Sequence, residues 1–317
     1  MDICQISIII LLIFAKNLFL LYLYKIEIQM SLVKLFASDR LIQLYKEGKL
    51  RAVMDTLDKK ISEKTFLYAG VNVSIFSYKN DKQVLMFCPM TIPYFKRYGH
   101  VGAQMGLTPG QQFKEHINSL GVFFLPIKEI IYEDANVFVY VQDNCQRVKK
   151  NITPLIVAEF LQLIQFMIKK NVLLTDLSPN NVSVLNGHLI ISDYHGLHPL
   201  KREGRIHREK WWGRLFRNLV RFISHIYAPE KLSEYSELLN TYNATVAEKL
   251  AADKQLPPAF IELIKYVSTN ENTVDLTVMY KLLSACIETV CKGFKFDTKQ
   301  SQSIKTVQAK LDKYNFH

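Results

Sequence analysis

The dipeptide Asn186-Gly187 constrains this chain more than any other stretch of its 317 residues. It separates two apolar, β-prone runs, residues 182–185 (VSVL) and 188–192 (HLIIS). Both central positions of a two-residue hairpin turn need φ > 0, which asparagine and glycine tolerate, so a tight antiparallel hairpin is predicted. With Leu185 facing His188 across the turn, Asn181 comes to face Ser192, beside Asp193, at the open end of the ribbon. Cross-strand neighbours lie about 5 Å apart. Asp176 stands on the loop leading into the same end. Two carboxylates and an amide oxygen thus converge on one edge. Such hard oxygen donors suit Mg²⁺ that keeps several waters and bridges phosphates. The plainer alternative is an ordinary Asn-Gly hairpin with polar residues at its mouth.

A helix is predicted just upstream. Thr153 is a good N-cap, Pro154 fits the first helical position, and Ile156, Phe160, Leu163 and Met167 share a face. Asn171 suits the C-terminal end. The order that follows is Asp176, four residues, Asn181, a short hairpin, then Asp193-Tyr194-His195-Gly196. This pattern resembles the catalytic core of the protein kinase superfamily. The resemblance implies an α+β, two-lobed protein-kinase-like fold, with a small β-rich lobe and a larger helical one. It implies ATP and Mg²⁺ as cofactors and phosphoryl transfer to a protein hydroxyl, of the serine/threonine type. Asp176 would be the catalytic base, Asn181 a metal ligand and Asp193 the main Mg²⁺ ligand. Asp193-Tyr194-His195 stands where the family has Asp-Phe-Gly, with Gly196 one place late. The wording D-L-S-P-N-N followed by S-D-Y is similar to kinases of large DNA viruses, herpesvirus kinases among them.

Upstream, residues 65–78 and 83–89 read as strands joined by a polar turn at Lys79-Asn80-Asp81-Lys82, and residues 31–63 read as mostly helical. On the family pattern these strands open the small lobe, with Gly70 in the phosphate-covering loop. Departures begin here. That loop carries one glycine rather than several, and Phe87 falls where the phosphate-pairing Lys belongs. Lys82 or Lys96 is the candidate to reach the phosphates from another position. Residues 90–110 read as a long loop, whose glycines offer a second way to approach a phosphate. Residues 111–120 form a helical candidate ended by Gly121, and Glu115 best matches the ion-pairing Glu of the small-lobe helix. Residues 122–125 and 137–141 read as strands. Gln142-Asp143-Asn144 follows as the hinge, with Asp143 among the nucleotide-binding candidates. The expected organisation is an apolar segment at 1–29, a small lobe at 30–141, a large lobe at 142–296 and a polar tail at 297–317.

Residues 3–24 are apolar over about the length of a membrane span, interrupted by Lys16. A charge there costs about 2.5–3.5 kcal/mol at the bilayer centre. A signal anchor touching a membrane, a start at Met30, and a helix packed on the domain all fit this segment. Five cysteines lack zinc-like spacing, which points to a reducing intracellular compartment without disulfides. The formal net charge of +11 favours anionic partners. It is concentrated after Gly196, at Lys201, Arg202, Arg205, Arg208, Lys210, Arg214 and Arg217 against Glu203 and Glu209. That run is either a solvated face or a site for an acidic or phosphorylated partner. A specific nucleic-acid site has no support, because no interleaved aromatics accompany the charge. Residues 211–226 read as one amphipathic helix, so Ala228-Pro229-Glu230, which matches the end of a kinase activation segment, is read as coincidence. Residues 232–294 read as largely helical, broken at Pro257-Pro258. The competing functional reading is a pseudokinase, a binding module that keeps the fold without the chemistry. The missing Lys and glycines favour it, as does Leu174-Thr175 in place of the family's His-Arg.

Overall fold

A computed structural model describes residues 39–50, 53, 57, 66–69, 74–89, 107–148, 152–174, 177–179, 181–194, 197–199, 201, 202, 205, 206, 211–235, 248–250, 252, 255–270 and 274–314. It is a mixed α+β protein, with antiparallel sheets in its N-terminal half and helices dominating the C-terminal part. The chain divides into two compact units, Met1–Glu115 with Pro126–Asn144, and His116–Leu125 with Cys145–His317.

The first unit is built on a five-stranded sheet of order β1-β2-β3-β5-β4. Its strands are β1 (Phe66–Ala69), β2 (Ser74–Tyr78), β3 (Gln83–Pro89), β4 (Glu129–Glu133) and β5 (Val137–Asp143), all antiparallel to their neighbours. Side chains alternate between faces along a strand. Phe76, Leu85, Phe87, Val137, Val139 and Val141 therefore meet one core, closed by Leu41 and Leu44 of helix α1 (Asp39–Lys46) with Leu50, Val53 and Leu57. The other face of β5 offers Phe138 and Tyr140, against which Phe113 of helix α2 (Pro109–Leu120) packs edge-on at 5.8 and 6.4 Å. This sheet buries both faces of β5, which explains its unbroken apolar run.

Two sequence expectations change here. Residues 122–125 form no strand; Phe124 makes only an isolated bridge to Ile191. The fourth strand is instead β4, whose Glu129, Ile130, Ile131, Tyr132 and Glu133 are only exposed or half-buried. An edge strand of that kind lacks the apolar run that marks β5. The expected strand at 137–141 also runs two residues further, with Gln142 opposite Val84 and Asp143 opposite Gln83.

The second unit wraps helix α3 (Pro154–Lys170), which is buried from Leu155 to Lys169. Thr153 caps its first turn by accepting from the Ile156 N–H, and Asn171 ends it in the left-handed region at φ 52°. Against it pack α4 (Trp211–Tyr227), α6 (Leu276–Gly293) and α7 (Thr298–Asp312), while α5 (Pro258–Thr269) packs on α4 and α6. Phe160 and Phe222 stack with centroids 4.0 Å apart. The Pro257-Pro258 break is where α5 begins. The tail expected at 297–317 is largely helix α7, which buries Ile304, Val307 and Leu311. Small ribbons complete the unit: β6 (Gln146–Arg147), β8 (Ser183–Leu185) and β9 (His188–Ile190) form one sheet, β7 (Val172–Leu174) pairs with β10 (Leu197–Pro199), and β11 (Lys201–Arg202) with β12 (Arg205–Ile206). The apolar segment at 3–24 lies outside the described residues; among those described, no helix is long and apolar enough to cross a membrane.

Candidate functional site

The Asn-Gly hairpin forms as its residues require. Asn186 and Gly187 take φ of 53° and 83°, and Leu185 pairs with His188, Val184 with Leu189 and Ser183 with Ile190. Continued by two residues, this register sets Asn181 opposite Ser192, with Asp193 next in the chain. The Ser183 and Ser192 hydroxyls, diagonal neighbours across the ribbon, lie 3.0 Å apart and hold that end together. On the outer side β6 pairs with β8, and the Val148 N–H donates to the Val182 carbonyl at 2.9 Å. The Asn181 N–H donates to Ser178 O at 2.8 Å, closing a turn on the approach. Asn181 and Asp193 are both half-buried.

Two anchors fix this ribbon. The first is Glu159 on α3, whose side chain is 5% exposed. Its carboxylate accepts from the Leu189 N–H at 2.7 Å and bonds Nδ1 of His188 at 2.7 Å. Burial pushes the Glu159 carboxyl above the usual carboxylate range, only partly offset by these two bonds. The second anchor is the segment after α2. Gly121 ends that helix at φ 73°, and Phe123, Phe124 and Leu125 follow, buried. The Ile191 N–H donates to Phe123 O at 2.8 Å and the Leu125 N–H to Ile191 O at 2.9 Å. The buried Tyr194 donates its hydroxyl to the Leu125 carbonyl. Its ring stacks on Phe124 at 6.4 Å, and Phe124 packs on Phe166 of α3 at 5.9 Å.

Of the residues expected to act, Asn181 precedes β8 by two residues and Asp193 follows β9 by three, both half-buried. Asp176, Gly70, Lys96, His195 and Gly196 lie outside the described residues. Lys82 ends the polar turn before β3; it is exposed, and its carbonyl accepts from the Asn144 N–H at 3.0 Å. Phe87 is fully buried and packs edge-on against Phe76 at 5.4 Å, and β3 carries no lysine on either face. Glu115 is exposed on α2 and forms no ion pair with a described residue. Asp143 is half-buried and paired with Lys128. Of the loop glycines, Gly110 stands in the first turn of α2, where its N–H donates to Glu133 at 2.7 Å. Thr108 donates to the same carboxylate at 2.5 Å, and a Cβ at position 110 would lie 2.5 Å from it. A carboxylate already caps that helix, so it repels a phosphate there. The remaining loop glycines lie outside the described residues.

Chemically, the residues flanking the hairpin carry one carboxylate, Asp193, and one amide, Asn181, while the Ser183 and Ser192 hydroxyls bond each other. Among the described residues no cluster of three His, Cys, Asp or Glu side chains forms a ready metal cage. A pair of oxygen donors that leaves most positions to water and phosphate suits Mg²⁺ rather than zinc or calcium. The residues that sequence reasoning passed over are Glu159 and Tyr194's hydroxyl. A signal for the first was present: Glu159, Gln162, Gln165 and Lys169 are the polar breaks in α3, and each is buried and bonded. Comparison with protein-family models and with curated proteins finds no match for this chain.

Proposed function

We propose that this chain is a divergent, kinase-like phosphotransferase that moves a phosphoryl group from ATP to a protein hydroxyl. The hairpin register carries the proposal: Ser183 pairs with Ile190 through Leu185 with His188, and carried two residues further it would set Asn181 opposite Ser192, the residue before Asp193. Support also comes from element order. A helix, α2, falls between the third and fourth strands of a five-stranded antiparallel sheet; then α3, β7, the β8–β9 hairpin and a returning β10 follow in sequence. The finer fold reading, two-lobed and kinase-like, belongs to this proposal.

In this reading Asp176 orients the acceptor hydroxyl and takes its proton. Asn181 and Asp193 present oxygens to Mg²⁺, which when bound supplies charge neutralisation at the phosphates. Glu159 and the Leu125 segment keep those oxygens in register. The rest of catalysis is positioning. The basic run from Lys201 to Arg217 is proposed to receive an acidic or phosphorylated protein partner by charge. The test is transfer of label from γ-labelled ATP to mixed protein acceptors, with Asp176→Ala beside the wild type. Losing a general base lowers the rate by about 10²–10⁴-fold. Equal labelling by both proteins would sink the assignment.

One observation favours the binding-module alternative. Phe87, at the position of the phosphate-pairing Lys, sits inside the hydrophobic core with no cation on its strand, and Glu115 stands exposed. That alternative predicts a folded protein, partner binding and no label transfer.

A further inference from the structure

We propose that the Tyr194 hydroxyl is a positioning group for Asp193: its bond to the Leu125 carbonyl holds the Asp193 carboxylate in the orientation that accepts a divalent cation. The inference rests on the metal site proposed above. Ser192 and Asp193 are bracketed on both sides by attachments to one short segment. On the near side, Ile191 exchanges two backbone hydrogen bonds with Phe123 and Leu125, at 2.8 and 2.9 Å. On the far side stands the hydroxyl bond from Tyr194 to Leu125.

An apolar ring at this position would be held by packing alone, and packing tolerates sliding. A phenol is different. Tyr194 is 2% exposed and Leu125 1%, so neither group has water as a substitute partner. Turning residues 193–194 away from Asn181 breaks that bond and leaves a buried donor and a buried acceptor unsatisfied, which is more costly than losing the bond itself. The ring stack on Phe124 restricts the tilt of the ring, while the hydroxyl fixes how far it reaches. Together they leave the Asp193 backbone one favoured setting.

The test titrates MgCl₂ into the full chain at fixed ATP and follows the melting temperature, for wild type, Tyr194→Phe and Phe124→Leu. Tyr194→Phe keeps the ring and removes one oxygen; Phe124→Leu disturbs the stack and keeps the bond. The expected result is a Mg²⁺ midpoint about tenfold higher in Tyr194→Phe, as for loss of one buried hydrogen bond, and near wild type in Phe124→Leu. Amide exchange at residues 191–194 is expected to quicken in Tyr194→Phe without metal, while α6 stays protected. A lower metal-free melting temperature with an unchanged Mg²⁺ midpoint overturns the inference, since the hydroxyl then serves only the core. An equal shift in both variants also overturns it, because packing would be the cause. A wild type that ignores Mg²⁺ overturns the metal site and this inference with it, and is recognised without either variant.

Discussion

Asn186 and Gly187 show how much a single pair of residues decides. Their φ values of 53° and 83° match what the dipeptide's chemistry demands, and the register of the hairpin follows from them. Gly187→Ala places a Cβ in the left-handed region, which costs an L-residue about 1–2 kcal/mol. The expected outcome is a lower urea midpoint with an unchanged slope. The hairpin was legible at this scale because turn residues and a period of two leave few options. Gly110 was less so: its place against Glu133 depends on a strand 23 residues away, which no local rule supplies. Phe87 is instructive in the other direction. The sequence marks a missing lysine, and the fold puts that side chain in the core, where a charge would be far more expensive than in water.

Among the elements, α3 departs most from its sequence signature. Its apolar stripe predicts one buried face, yet residues all around the helix are buried, because α4, α6, α7 and β9 each cover a side. Polar residues on those sides must then find partners: Gln162 donates to Ile304 O at 2.9 Å, Gln165 to the Ser284 hydroxyl at 2.8 Å and Lys169 to Tyr314 O at 2.9 Å. Such tertiary burial is invisible to a single-helix pattern. Helix α7 has a mostly polar sequence for the same reason, since it needs only Ile304, Val307 and Leu311 to dock. Leu311→Ala should lower unfolding free energy by about 2–5 kcal/mol, read from chemical denaturation. Glu159 gives a pH prediction. Its carboxyl titrates higher folded than unfolded, so the folded state binds the extra proton in the window between the ordinary carboxylate range and its raised value. The Glu159 contribution therefore makes stability fall as pH rises through that window. Glu159→Gln, which cannot titrate, should flatten this part of the profile in melts run across it.

For the whole molecule, a length of 317 residues allows one large domain or two lobes, and two compact units are found. Element order from β1 to α4 was mostly readable, because caps, turns and apolar runs mark where each piece starts. The division between units was less so: it falls at Asn144, and residues 116–125 belong with the C-terminal unit although they precede β4 and β5. That excursion comes from backbone bonds between Phe123, Leu125 and Ile191, far apart in sequence. Asn181 and Asp193 are proposed to hold a metal–nucleotide complex. The most direct test is the melting temperature of the full chain with and without ATP and Mg²⁺, beside Asp193→Asn. Ligand at about 100 times its Kd stabilises by about 2.7 kcal/mol, so a rise of several degrees that needs both ATP and Mg²⁺ and vanishes in the variant is the predicted result. No rise in the wild-type protein, or an equal rise in the variant, would contradict it.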